Sequence, residues 1–124
     1  MNLKTTFTIN AIVTVLFGLG FILMPGTLTG MYGVTLSEAG LYVGSLLGAT
    51  FVGMAVMSWM AKDASESEAR RSIVLGLFVG DGIAFILALL GQLNGVVNSL
   101  GWLTVALYLF FAVLFGMNYF SSSS

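Results

Sequence analysis

Six of the nine charged residues in this chain fall in one stretch, 62–71, and the sequence on either side runs apolar for about twenty residues at a time. The other three charges are Lys4, Glu38 and Asp81. Between these markers lie four apolar segments, near 7–24, 39–61, 72–93 and 100–120. Each approaches the ~20 residues that a membrane-spanning helix needs. None shows the alternation of a barrel strand, and in lipid a helix satisfies its own backbone hydrogen bonds. Charged residues make up 7 % of the 124, against roughly 25 % in a soluble domain. The expectation is an all-α membrane protein: one integral membrane domain over 1–124, with four transmembrane helices in an up-down-up-down antiparallel bundle.

The breaks between segments have local causes. Pro25-Gly26 stops the first helix, because Pro disfavours helix at Met24 and Gly26 permits a turn. Thr35 or Ser37 is placed to cap the second. Ser65 and Glu68 have capping-box spacing, and Glu66 and Arg70 sit four apart, so the third helix starts a turn or two before its apolar run. Asn94-Gly95 and Asn98-Ser99 mark a tight turn before the fourth. The polar tail 121–124 is expected to fray. An echo links Gly18-Leu19-Gly20 and Phe21-Ile22-Leu23 with Gly80-Asp81-Gly82 and Phe85-Ile86-Leu87. Low complexity accounts for such an echo more readily than duplication does.

All four basic residues belong to one side of this layout. Lys4 precedes the first segment, and Lys62, Arg70 and Arg71 lie in the loop 62–71. The positive-inside rule then puts both termini and that loop in the cytoplasm, with the chain multi-pass in the inner (cytoplasmic) membrane. Tyr42 and Trp102 fall near the outer helix ends, and Trp59 and Tyr119 near the inner ends, as interfacial anchors do. Lys4 before an apolar run is loosely like a signal peptide, but no small-x-small cleavage site follows cleanly.

Asp81 is the sharpest feature. It lies nine residues beyond Ser72, roughly 14 Å along a helix, close to the bilayer midplane. A carboxylate there costs several kcal/mol unless paired, hydrated or protonated. Thr14, Thr50 and Tyr108 are expected at the same depth, which would make one polar layer and a candidate proton or cation site. The plainer reading is an Asp81 that ties helices together, with Thr14 and Thr50 bonding back to their own helices. Asn10 and Asn118 are expected nearer the cytoplasmic ends, where water reaches.

Small residues form a second feature. Gly40-x-x-x-Gly44-x-x-x-Gly48 lies in the second segment, and Gly76-x-x-x-Gly80, continued by Ala84 and Ala88, in the third. Such ridges let backbones approach where lipid offers no hydrophobic gain. They serve packing inside the bundle or docking on a partner. Ala84 and Ala88 share the face of Asp81, so that face should meet protein.

Composition removes much chemistry. With no His and no Cys, a Cys or His zinc site, a His-ligated haem, a thiol nucleophile, a disulfide and a Ser-His-Asp triad are excluded. A net charge of −1 offers no patch for nucleic acid. Met24, Met31, Met54, Met57 and Met60 are spread out and suit adaptable packing better than a copper site. Gly80-Asp81-Gly82 has no strand before it, so it is not a nucleotide loop. No metal and no cofactor are expected.

Several short runs resemble a group of uncharacterised small bacterial four-helix transmembrane proteins classed under domains of unknown function. These runs are Phe17-Gly18 to Pro25, Tyr32-Gly33-Val34, Ala69-Arg70-Arg71, Gly80-Asp81, and Asn98 to Trp102. The resemblance implies the build and carries over no activity. Small multidrug transporters differ in having an acid in their first helix, where this chain has none. The leading expectation is a non-enzymatic accessory or assembly subunit, docking on itself or on a larger membrane complex through a Gly/Ala ridge. The alternatives are a proton- or cation-linked transporter or channel component built on Asp81, and a binder of lipid, quinone or pigment. The carboxylate has no second acid or base to make it an enzyme's.

Overall fold

The structure, a computed structural model, describes residues 2–121 and is all-helical. Its helices are α1 (Leu3–Leu23), α2 (Pro25–Met31), α3 (Glu38–Ala61), α4 (Glu68–Leu93) and α5 (Gly101–Ser121). The four long ones are apolar and long enough to cross a membrane. Large apolar side chains cover their outer faces; Leu23 is 73 % exposed and Met60 69 %. Of the tail expected to fray, residues 122–124 lie outside the described residues, while Ser121 closes α5.

Caps set the helix starts. Asn2 accepts a hydrogen bond from the Thr5 N–H at 2.8 Å and begins α1 four residues before its apolar run. Ser37, one of the two caps expected, accepts from the Gly40 N–H at 3.1 Å. For α4 the cap is Ser67 rather than Ser65, accepting from the Arg70 N–H at 3.1 Å. Ser65 lies too far upstream of Glu68, the first helical residue, to reach these amides. Arg70 does not pair with Glu66 as the i, i+4 spacing suggested, because Glu66 precedes the helix. Its Nε instead donates to the Ala61 carbonyl at 3.1 Å, capping the end of α3.

The short α2 adds a fifth helix to the four expected. Pro25 ends α1 and at once opens α2, since its fixed φ and missing N–H suit a first helical position. Both α2 and α4 end in the same motif. Gly33 at φ 77° and Gly95 at φ 75° take the left-handed conformation just past the helix. In each, the glycine N–H and the next N–H turn back to helix carbonyls: Gly33 to Gly30, Val34 to Thr29, Gly95 to Gln92 and Val96 to Gly91.

The long helices form two tight pairs, α1 with α3 and α4 with α5. The pairs meet sparsely; α3 and α4, though consecutive, barely touch. The packed core sits at the end of the bundle that carries the loop 62–71. Phe7, Ala61, Val74, Leu77, Phe111 and Phe115 cluster there, with the Phe7 and Phe115 rings 5.5 Å apart. The four basic residues crown this end. Lys4 and Lys62 both contact Asp63, Lys4 at 3.2 Å. Arg71 lies over the Tyr119 ring at 4.3 Å.

Candidate functional site

Above the core the two helix pairs bound a half-open chamber of about 400 Å³, lined by residues of all five helices. Its position follows from uneven packing. Near the core, Phe7, Phe111 and Phe115 fill the space between the pairs. Farther along, small residues such as Ala88, Gly91 and Gly101 take the inward positions and leave it empty. Phe17, Phe21, Phe51, Phe111, Tyr32 and Tyr108 supply aromatic wall.

Asp81, at the middle of α4, lines the chamber and is 6 % exposed. Its Oδ2 is buried without a hydrogen-bond partner. Buried polar atoms are nearly always paired, so an orphan carboxylate oxygen beside a cavity calls for an explanation. Tyr108, on α5, lines the same chamber. Among the described residues, no group of three or more His, Cys, Asp or Glu comes together to hold a metal ion.

The expected polar layer forms only in part. Asp81, Thr14 and Tyr108 line one chamber, but Thr14 is tied to its own helix, its hydroxyl donating to the Asn10 carbonyl at 2.7 Å. Thr50 does not join them. It is exposed on the outer face of α3, and its hydroxyl donates to the Leu46 carbonyl at 3.1 Å. Depth alone suggested Thr50; helical phase removes it, because the buried stripe of α3 runs through Gly44, Gly48, Ala55 and Ser58. Asn10 also departs from expectation. It is buried rather than hydrated, and its Nδ2 donates to Ser58 Oγ at 2.9 Å, joining α1 to α3. Asn118 is half-buried and donates to the Leu114 carbonyl of its own helix.

The glycine ridges divide. Gly44 and Gly48 are buried, and Gly48 packs against α1. A Cβ on Gly40 would first meet the side chain of Leu36, near it in sequence. Gly76 and Gly80 face outward, with nothing within 4 Å of a Cβ placed there. An i, i+4 row winds slowly around a helix. The row that starts outward at Gly76 therefore passes through half-buried Ala84 and reaches the chamber wall at Ala88.

Residues that sequence reasoning passed over close the far end. Asn98 donates its backbone N–H to the Tyr32 carbonyl at 2.8 Å and its side-chain Nδ2 to the Met31 carbonyl at 3.0 Å. Its own carbonyl accepts from Gln92 Nε2 at 3.1 Å. Thr104 donates to the Tyr32 hydroxyl at 2.9 Å across the chamber. Tyr32 and Asn98 lie within the runs that carried the family resemblance, and that was the available signal. The arrangement suits holding a mainly apolar body against one carboxyl group.

A family model described as Domain of unknown function (DUF8292) matches residues 1–120. No curated protein and no solved structure matches the chain.

Proposed function

The chain belongs to the DUF8292 family, and from that premise we propose that it is a non-enzymatic integral membrane protein that binds a small apolar molecule between its helix pairs. The carrying observation is the chamber of about 400 Å³, apolar and aromatic in lining, with the unpartnered Asp81 in its wall. Sites for small molecules are typically concave, mostly apolar and fitted with a few polar groups that orient the ligand. Among the described residues no second carboxylate and no Lys lines the chamber with Asp81, which favours binding over catalysis. The positive-inside rule places the crown of Lys4, Lys62, Arg70 and Arg71, and with it both termini, on the cytoplasmic side. The chamber then runs from about the bilayer midplane into the outer half.

The test is titration of the purified protein with the neutral fluorophore N-phenyl-1-naphthylamine. Saturable binding at one site per chain is expected, and Ala88→Phe, which fills the chamber from α4, should abolish it. Equal binding to the wild type and to Ala88→Phe would overturn the reading.

A second reading is docking on a larger membrane complex. It is favoured by the outward glycine step of Gly76 and Gly80, which none of the described residues covers. Under this reading Gly80→Leu breaks an assembly seen by native mass spectrometry of mild membrane extracts, while the fold persists. Unchanged assembly would exclude this face.

A further inference from the structure

Resting on the chamber as a binding site, we infer that its ligand class is a lipophilic amine: an apolar, preferably aromatic body bearing one protonated nitrogen that pairs with the Asp81 carboxylate. Asp81 is the chamber's ionisable acid, and its Oδ2 meets no donor. The chain has four basic residues, and each is engaged at the other end of the bundle. Lys4 and Lys62 contact Asp63, Arg70 donates to the Ala61 carbonyl, and Arg71 covers Tyr119. Among the described residues no cation reaches Asp81, so a ligand ammonium is the partner that would hold it ionised.

A ligand ammonium answers both needs of the carboxylate. It supplies a hydrogen bond, and it supplies an opposite charge where the surroundings screen least. The rings of Tyr108, Phe17 and Phe111 line the same chamber and offer faces on which a cation is attracted. The apolar remainder of the chamber takes the body of the ligand. A phospholipid head fits less well, because its phosphate would enter a chamber that has no basic side chain to meet it.

The experiment uses the full chain in phosphatidylcholine nanodiscs, with empty nanodiscs subtracted. The probes are imipramine, a tertiary amine on a tricyclic body, and iminodibenzyl, the same ring system without its amine arm. The wild type is expected to bind imipramine at one site and to prefer it over iminodibenzyl. Asp81→Asn, nearly isosteric, is expected to weaken imipramine by about 30-fold or more, the usual cost of removing one partner of a buried charge pair. Iminodibenzyl binding should change less than about twofold, since the apolar walls are intact. The preference within the wild type needs no variant, so it stands as a test even if Asp81→Asn misfolds. Equal binding of both probes by the wild type would overturn the amine assignment and leave the chamber a binding site for apolar bodies. Binding of neither would overturn both. Displacement of imipramine by lysophosphatidylethanolamine, mole for mole, would move the ammonium to a lipid head and also overturn the inference.

Discussion

Gly18 of α1 and Gly48 of α3 stand where each other's backbone leaves no room for a side chain. A Cβ on Gly48 would lie 2.7 Å from the Gly18 carbonyl oxygen, and one on Gly18 would lie 2.9 Å from the Gly48 carbonyl oxygen. A backbone atom cannot swing aside as the end of a side chain can. Gly48→Ala therefore has to part the helices, and overpacking of this kind costs about 1–3 kcal/mol. Gly80→Ala, in open space, should change stability by less than about 0.5 kcal/mol. Unfolding in mixed micelles by added dodecyl sulfate measures both. Wild-type stability in Gly48→Ala would contradict the close approach of α1 and α3.

Asn10 and Ser58 form a buried side-chain pair across the same two helices. Ser58→Ala leaves the Asn10 amide without its acceptor, at a cost of about 1 kcal/mol, somewhat above the average for such pairs in membranes. Combining it with Asn10→Leu should recover part of that loss, because replacing both partners removes the orphan. A double-mutant cycle reads the coupling, and strictly additive effects would show that the pair contributes nothing.

At the far end, Asn98 joins the α4–α5 connection to the end of α2. Asn98→Ala keeps the backbone bond to Tyr32 but loses the bond to the Met31 carbonyl and the one accepted from the Leu100 N–H at 3.0 Å. Of the two, only the Met31 bond crosses between the helix pairs; at ~0.5–1.5 kcal/mol for that bond, the pairs should separate at this end about two- to tenfold more often. The chain has no native cysteine, so Ala88→Cys gives a single reporter in the chamber wall. Its maleimide labelling should accelerate by that factor in the Asn98→Ala background. An unchanged rate would mean that Asn98 does not hold the chamber closed.

Among the exposed charges, Asp63 has the clearest pH signature. The hydrogen bond from Lys62, and then that from Lys4, hold its carboxyl below the ordinary value of 3.8. A folded value below the unfolded one means that the pairing contributes above the ordinary value and is lost as pH falls through the lowered one. Carboxyl NMR should find the Asp63 midpoint depressed. Lys62→Ala should return it farther toward the ordinary value than Lys4→Ala does. The reverse order would show that Lys4 is the stronger partner.

Much of the architecture was legible because its causes are local. Four apolar runs of membrane-crossing length must be helices, since backbone groups in lipid have no other partner, and a Pro or a serine cap acts on the residues next to it. The clustering of Lys4, Lys62, Arg70 and Arg71 at one end follows from counting helix reversals. The position of Asp81 halfway along its helix was equally plain.

Which faces meet was not legible. Thr50 and Thr14 look alike as mid-helix threonines, yet one faces outward and the other lines the chamber. The two glycine ridges also look alike, yet Gly48 is buried against Gly18 while Gly76 and Gly80 stay uncovered. Every face of such a helix is apolar, so hydropathy does not set its rotation. Rotation is decided by contacts between residues far apart in the chain: Gly18 with Gly48, Asn10 with Ser58, Tyr32 with Thr104 and Asn98. By itself the sequence determined that the chain builds four membrane-length helices with one acid at mid-helix. Only the tertiary structure decided that these helices pair two by two and leave that acid in the wall of a chamber, because a hollow depends on which side chains fail to meet.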